Sequence, residues 1–298
     1  MYPALCLAAL LEGASIAVAV IALQRHAGRL ADAPADLRRV FAWLSFTPAA
    51  ANFAGPFLAG LAIDAFGFRT AFLLLATGPF LSWLFIRRAH EKPDTARTAA
   101  SAGGALDLWR DPVVRRVLAM NWFISSTWDV HSVMVPLLGH ARGLNASAIG
   151  SILGVFALAA ALVRLVMPYL AMRVREWLLL AIALAMSAVL MGLYPLAQSA
   201  VTMALCSVLI GMAVGGVQPL VLSLLYHATP AGRHGQAAAL RLLMINASSV
   251  SMPMLAGSAG GLIGVAGVFW AVCLSLLVGI RMAVGLRGMV ADADARTP

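Results

Sequence analysis

Long apolar runs separated by short polar breaks fill the chain from one end to the other. A membrane-crossing helix needs about 20 consecutive apolar residues. Cutting the chain at its charged or Gly/Pro-rich breaks gives nine runs of this kind. The pattern therefore predicts an all-α, polytopic membrane protein with about nine transmembrane helices. The predicted spans are residues 3–23, 41–63, 70–87, 117–138, 147–171, 177–195, 200–226, 240–258 and 263–285.

The composition supports this interpretation and excludes a soluble enzyme. Of the 298 residues, 62% are hydrophobic and only 11% are charged, whereas a soluble globular chain carries about 25% charged residues. The formal net charge of +9 does not indicate nucleic-acid binding, because the arginines stand at the ends of apolar runs. The three cysteines lie singly inside apolar runs without a CxxC pair, so we expect no metal site, disulfide framework or cofactor.

The basic residues orient the predicted spans. On the nine-span interpretation, 18 of the 21 basic residues fall in alternate loops on one side. The opposite loops hold Arg69 and Arg142, and Arg164 lies inside the fifth span. Cytoplasmic loops of membrane proteins are enriched in Lys and Arg. We therefore expect a multi-pass protein of the bacterial inner membrane with a cytoplasmic C-terminus.

One long polar segment divides the chain. Residues 91–116 begin with small and polar residues, and an amphipathic stretch with Trp109 among charges follows over 106–114. This stretch predicts an interfacial helix on the cytoplasmic face. The expected organisation is a three-span part over 1–90, the linker 91–116, a six-span part over 117–285 and a cytoplasmic tail over 286–298.

An internal repeat relates the second and eighth spans. Pro-Phe-Leu-Ala-Gly at 56–60 recurs as Pro-Met-Leu-Ala-Gly at 253–257, and the same 197-residue offset relates Gly67 to Gly264. Many transporters are built from such repeats. The offset leaves the fourth to sixth spans without counterparts, so we expect three further helices in an upstream reading frame or a real truncation.

These motifs carry a family resemblance. Residues 55–60 resemble the glycine–proline antiporter motif of the fifth helix of the major facilitator superfamily. Residues 64–69 are similar to the acid–glycine–arginine turn that follows it, and residues 230–235 to the loop between the tenth and eleventh helices. The chain as a whole resembles helices four to twelve, without the first three. The resemblance assigns motif and gating roles to Gly55, Pro56, Gly60, Asp64, Arg69 and Arg233.

The resemblance implies a transporter rather than an enzyme. We expect it to move a small organic solute by alternating access, coupled to protons and directed towards efflux, as a monomer in the lipid bilayer. A non-transporting sensor or assembly partner, derived from a truncated transporter, stays open as the alternative. Because the resemblance begins at the fourth helix, we expect no counterpart in residues 1–298 of the family's signature loop between its second and third helices.

Polar groups inside the predicted spans are the candidate chemistry. Charged side chains in hydrocarbon are costly and usually functional. Asn121, Ser125, Asp129, Ser132 and Pro136 are spaced to share one face of the fourth span. Hydrogen bonding between helices is the alternative role for the serines. The predicted substrate or proton pathway comprises Glu12, Asp129, His131, Arg164, Gln218 and Asn246.

Asp129 and Arg164 are expected to form an ion pair. Measured as helix rise from the nearest cytoplasmic arginine, the depths of the two residues differ by only about 6 Å. Consecutive helices also usually lie side by side. A partner carboxylate would offset the cost of a guanidinium in hydrocarbon. The alternative is that Arg164 extends to the cytoplasmic surface and Asp129 bonds only to Ser125 and Ser132.

The charge pattern makes a topology prediction. Reporters fused after Arg97 and after Pro298 should both be cytoplasmic, and a reporter within residues 139–145 should be external. Protease protection or an activity reporter for each side measures this. A reversal at any one of the three positions would mean that the number of spans is wrong by an odd number.

Overall fold

The structure, a computed structural model, describes Leu7, Leu11, Ser15 and Val18 and residues 34–87, 105–171, 173–230 and 233–294. Across these residues the regular elements are all helical, as the sequence predicts. Two short 3₁₀ turns, Ala105–Arg110 and Tyr194–Leu196, accompany the longer helices. The longer helices are α1 (Pro34–Ile86), α2 (Pro112–Ala141), α3 (Ala146–Ala171), α4 (Glu176–Leu193), α5 (Ala200–Ala228) and α6 (His234–Asp294).

The helices α1 and α6 each break at one glycine. Gly67 has φ 76° and ψ 167°, and Gly264 has φ 74° and ψ 166°. This region of backbone conformation is essentially restricted to glycine. The two glycines are the pair related by the 197-residue offset, so the repeat in the sequence is also a repeat in the backbone.

Five described segments are long and apolar enough to cross a membrane. The segments in α1 and α6 have 39 and 52 residues, about twice the length that one crossing needs. Their breaks at Gly67 and Gly264 fit a turn between two crossings. Multi-pass membrane embedding is thus supported, whereas the count of nine stays a prediction. The five segments are Thr47–Phe85, Ala146–Met167, Glu176–Leu196, Ala200–Ala228 and His234–Gly285.

The expected interfacial helix over 106–114 differs in the structure. The segment is a 3₁₀ turn that ends at Arg110, followed by the first turn of α2. The Asp111 carboxylate caps α2 by accepting from the backbone N–H groups of Val113 at 2.7 Å and Val114 at 3.0 Å. Because the residue before a proline disfavours helical conformation and proline suits the first helical position, Asp111 and Pro112 divide the segment.

The chain forms two compact units. The first unit comprises Met1–Ala51 and Leu74–Thr98, and within it the Arg87 guanidinium lies 5.3 Å from the centre of the Trp83 ring. The second comprises Asn52–Leu73 and Ala99–Pro298. Inside the second unit α3 packs chiefly on α5, and α2 packs chiefly on α6.

Glycines bring α3 into backbone contact with helices on two sides. A Cβ at Gly150 would overlap the Pro56 carbonyl, and one at Gly154 would lie 3.0 Å from the Phe53 carbonyl oxygen. On the other side, Cβ atoms at Gly211 and Gly215 of α5 would overlap the backbone of α3. Small residues permit this approach, which stabilises helix pairs in lipid through close packing.

Gly60 and Gly257 are counterparts in the repeat with opposite surroundings, so they form a matched test. Gly60→Ala should lower the free energy of unfolding by about 1–3 kcal/mol, since its Cβ would overlap the Ala146 carbonyl. Gly257→Ala should be neutral or stabilise by up to about 1 kcal/mol, because its Cβ meets no described atom within 4 Å. Thermal unfolding of the purified protein in detergent measures both. Equal destabilisation by the two variants would contradict the packing.

Candidate functional site

Asp129 lies in the middle of α2 and is bonded to α6. It stands about 25 Å along α2 from Pro112, and its side chain is half-buried. The Ser248 hydroxyl donates to Oδ2 at 2.6 Å and the Ser249 hydroxyl donates to Oδ1 at 3.1 Å. Ser126, also on α2, lies 3.5 Å from the Ser248 hydroxyl. The carboxylate is therefore held by neutral donors from a second helix.

The expected ion pair with Arg164 is not formed, and this prediction is wrong. Among the described residues Asp129 makes no ion pair, and its polar partners are the two serines. The two side chains lie on helix faces that meet different partners, because Asp129 is on the face of α2 that packs on α6 and α3 packs chiefly on α5. The alternative partners Ser125 and Ser132 are not used either, since Ser132 donates to the Trp128 carbonyl at 2.9 Å.

Arg164 instead lies beside α5. It stands one turn after Ala160, whose backbone a Cβ at Gly215 of α5 would overlap, and Gln218 stands one turn after Gly215. The charges of Arg164 and Arg241 interact. Arg241 donates from Nη2 to the Gln218 side-chain oxygen, and its Nε is buried without a hydrogen-bond partner in the described part of the chain. Side chains from α3, α5 and α6 thus converge in one polar cluster, of which Gln218 supplies the neutral member.

His131 belongs to a buried aromatic network. It is fully buried, and its Nε2 lies 2.9 Å from the Ser207 hydroxyl, which lies 2.8 Å from the Tyr194 hydroxyl. The imidazole stacks on Phe156 with ring centres 4.1 Å apart. Tyr194 in turn stacks on Phe269 at 5.0 Å. The network joins α2, α3, α5 and the second half of α6.

The predicted polar stripe on α2 divides into different environments. Asn121 and Ser125 are buried, and the Asn121 amide nitrogen and the Ser125 hydroxyl have no hydrogen-bond partner among the described residues. Ser132 is exposed. Asn246 is an exposed residue of α6, and Glu12 lies outside the described residues. Within the described part of the chain, Asp129 is the stripe residue that bonds to another helix.

A small cavity lies beside the Asp129 contacts. It has a volume of about 210 Å³ and lies between α2 and both halves of α6. Ser126 connects it to Ser248 and so to the carboxylate. The rest of the lining is mainly apolar: Trp122, Phe123, Val130, Met252, Leu255, Ala256, Ala259, Val268, Ala271 and Val272, with Ser275.

The motif acid Asp64 caps α3. Its carboxylate accepts from the backbone N–H groups of Ala146 at 3.0 Å and Ser147 at 2.8 Å, while the Asn145 side chain accepts from Ala148 at 3.1 Å. These N–H groups at a helix start have no partner within their own helix. A negative charge there is also favoured by the helix dipole.

The other motif residues contribute differently. Pro56 and Gly60 form the backbone contact with α3, whereas a Cβ at Gly55 would meet no described atom within 4 Å. Arg69 is exposed. Arg233 lies before α6 and donates from Nε to the Gln236 side chain at 2.8 Å.

Ser248, Ser249 and Arg241 were not predicted as site residues. The distribution of basic residues over the loops counts Arg241 as a loop residue. In the structure it lies inside α6, which begins at His234. The available signal is the seven-residue spacing of Arg241 and Ser248, which places them on one helical face.

Arg142, an exception to the charge rule, bonds to the carbonyls of Pro195 and Ala197 and so joins two loops.

No group that could bind a metal stands out in the described ranges. Within them, no three or more His, Cys, Asp or Glu side chains gather closely enough to hold an ion. The polar groups at the Asp129 contacts are one carboxylate and the serine hydroxyls that donate to it.

The buried network gives a stability prediction. Ser207→Ala should lower the free energy of unfolding by about 1–2 kcal/mol, because it leaves the His131 ring and the Tyr194 hydroxyl without their shared partner. Ser132→Ala is the matched control and should change it little, since this exposed hydroxyl bonds only to its own helix. Thermal unfolding in detergent compares them. A Ser207 variant as stable as the Ser132 variant would show that the network contributes nothing.

Comparison with known proteins identifies the family. The family model described as Major Facilitator Superfamily matches residues 117–295, from the second turn of α2 to the end of α6. No curated protein matches the chain. The match covers more than half of the 298 residues and agrees with the helical fold and the apolar segments. The chain belongs to the Major Facilitator Superfamily, a family of membrane transporters.

Proposed function

We propose that the chain moves a small organic solute by alternating access and that Asp129 carries the coupling proton. The observation that supports this best is the carboxylate of α2, which is held by two serine hydroxyls of α6 at 2.6 and 3.1 Å. An ionised carboxylate only accepts hydrogen bonds, whereas a protonated one also donates. Loading a proton therefore changes the bonds between α2 and α6.

The position of these bonds links proton loading to helix movement. Ser248 and Ser249 belong to the first half of α6, which ends at the break at Gly264. Rearranged bonds at Asp129 would move this half relative to α2, with the glycine as the hinge. The adjoining cavity of about 210 Å³ would then change its opening. A ligand shifts a conformational equilibrium only through such a difference between two states.

The contact between residues 53–64 and α3 is the proposed gate at the other end. It combines glycine packing with the Asp64 cap and lies at the end of α3 that the charge pattern places outside. Opening to the outside requires this contact to separate. We assign gating to Pro56, Gly60 and Asp64 on this basis, and the antiporter-like sequence favours efflux.

The remaining predicted residues receive separate roles in this proposal. Arg164 and Gln218 belong to the pathway together with Arg241, and Asn246 and Glu12 are further candidates along it. We assign His131 to the support of the helices, because its fully buried ring is held by Ser207.

Reconstitution into vesicles tests the proposal. The purified protein is screened with a panel of labelled solutes under an imposed pH gradient. Wild type should accumulate at least one solute in response to the gradient. Asp129→Asn should reduce gradient-driven accumulation by at least about tenfold, because its side chain cannot take up a proton. Solute counterflow without a gradient should persist, since it needs no net proton movement.

Asp107→Asn is the matched control. Asp107 is an exposed carboxylate on the 3₁₀ turn before α2, 3.9 Å from Arg110, and its variant should transport as wild type does. Undiminished gradient-driven accumulation by the Asp129 variant would overturn the proton role. An inserted, folded protein that moves no solute in either assay would favour the non-transporting alternative.

A further inference from the structure

The cluster of Arg164, Arg241 and Gln218 carries more positive charge than its described partners balance. Arg241 bonds to the neutral Gln218 amide. Arg164 stands one turn beyond Ala160, whose backbone a Cβ at Gly215 would overlap, and Gln218 stands one turn beyond Gly215 on the facing helix. Among the described residues neither arginine forms an ion pair with a carboxylate. Each guanidinium offers five N–H donors. Arg164 is an exposed residue, so its donors are open to a ligand.

Both arginines stand at the same depth in the helices that hold them. Arg164 lies about 10 Å before the last residue of α3, Ala171, and Arg241 lies about 10 Å after the first residue of α6, His234. The charge pattern places both of these helix ends on the cytoplasmic side. Two like charges at equal depth repel each other, and an isolated guanidinium at membrane depth is costly. A bound anion relieves both costs.

The packing of α3 and α5 fixes this arrangement. A Cβ at Gly216 of α5 would lie 3.9 Å from the Val163 side chain of α3. These two residues are close in sequence to Gln218 and Arg164, so the glycine contact places the amide and the guanidinium on adjoining helices. Arg241 reaches the same place from α6 through its hydrogen bond to Gln218. The three side chains are therefore positioned by backbone packing and by the hydrogen bond between Arg241 and Gln218.

We propose that Arg164, Arg241 and Gln218 form a binding site for an oxyanion, either a carboxylate or a phosphate group. Arginine forms paired, charge-assisted hydrogen bonds with both groups. Gln218 orients Arg241 through its oxygen and keeps its amide N–H donors available. If the proposed transport function holds, on which this extension rests, the carried solute is an organic anion. The same chemistry also fits an anionic lipid headgroup.

Chemical protection of the wild-type protein tests the site without relying on a variant that folds. The protein is placed in nanodiscs of phosphatidylcholine and treated with the arginine reagent phenylglyoxal. Benzoate, phthalate and inorganic phosphate are the anionic probes, and benzamide is the neutral control. Modification is mapped for each arginine by mass spectrometry. The anions should slow modification of Arg164 and Arg241, and benzamide should not.

Arg173 is the matched control within the same molecule. It is an exposed arginine just beyond α3, and the anions should leave its modification unchanged. Binding of the best probe should weaken by at least about tenfold in Arg164→Gln and in Arg241→Gln, and remain unchanged in Arg173→Gln. Arg164→Lys should retain part of the affinity, since it keeps the charge and loses the planar geometry.

Nanodiscs that also contain phosphatidylglycerol distinguish the source of the oxyanion. Protection by this lipid that soluble anions cannot displace assigns the site to a headgroup. Protection by soluble anions in phosphatidylcholine alone assigns it to a solute. Unprotected Arg164 and Arg241 in every condition would overturn the site. Protection of the two arginines by anions only in the Glu12→Gln variant would mean that the Glu12 carboxylate, and not a bound anion, balances them in the wild-type protein. This result would also overturn the site.

The outcomes for binding and for transport are independent. The protein could transport a neutral solute in an Asp129-dependent way while Arg164 and Arg241 stay unprotected. That result would overturn the oxyanion site and leave the transport function standing. Protection by soluble anions in a protein that moves no solute would retain the site and overturn the transport function.

Discussion

Close backbone contact on two sides of α3 is the constraint on which the second unit depends. Between lipid-embedded helices the hydrophobic effect contributes little, so association rests on close packing and polar contacts. Glycines of α3 admit the backbone of residues 53–56, and glycines of α5 admit the backbone of α3. Asp64 adds a charge–dipole contact at the same end of α3. Larger side chains at these glycines would push the helices apart.

This packing also decides where the polar residues gather. α3 packs chiefly on α5 and on residues 53–64, whereas α2 packs chiefly on α6. Asp129 meets Ser248 and Ser249, while Arg241 of the same helix meets Gln218. The Asp129 carboxylate and the two arginines therefore have different polar neighbours, and in the described part of the chain no ion pair joins them.

Local features of the sequence predict much of the fold. The apolar runs predict the helices, and the repeated block predicts the equivalence of Gly67 and Gly264, which share a conformation that only glycine adopts readily. The partners of a helix are not a local property. The Asp129 contacts join residues 119 and 120 positions apart, and apolar stretches of similar length give no signal for which helices meet. Asp129 is identifiable from the sequence because a carboxylate inside an apolar stretch stands out by itself. Ser248 is not identifiable, because its role depends on which helix it meets.

The first half of α6 carries both polar contacts, the one with Gln218 and the one with Asp129. Arg241 and Ser248 are two turns apart on one face, about 10 Å along the helix axis, so one rigid helical segment carries both the proposed oxyanion contact and the Asp129 contact. The segment ends at a glycine break, which permits it to move as a body. A proton at Asp129 that shifts this segment would alter the oxyanion contact as well. Thermodynamic linkage then requires the anion to change proton affinity by the same factor. Coupling of the two ligands thus needs only a single moving helix.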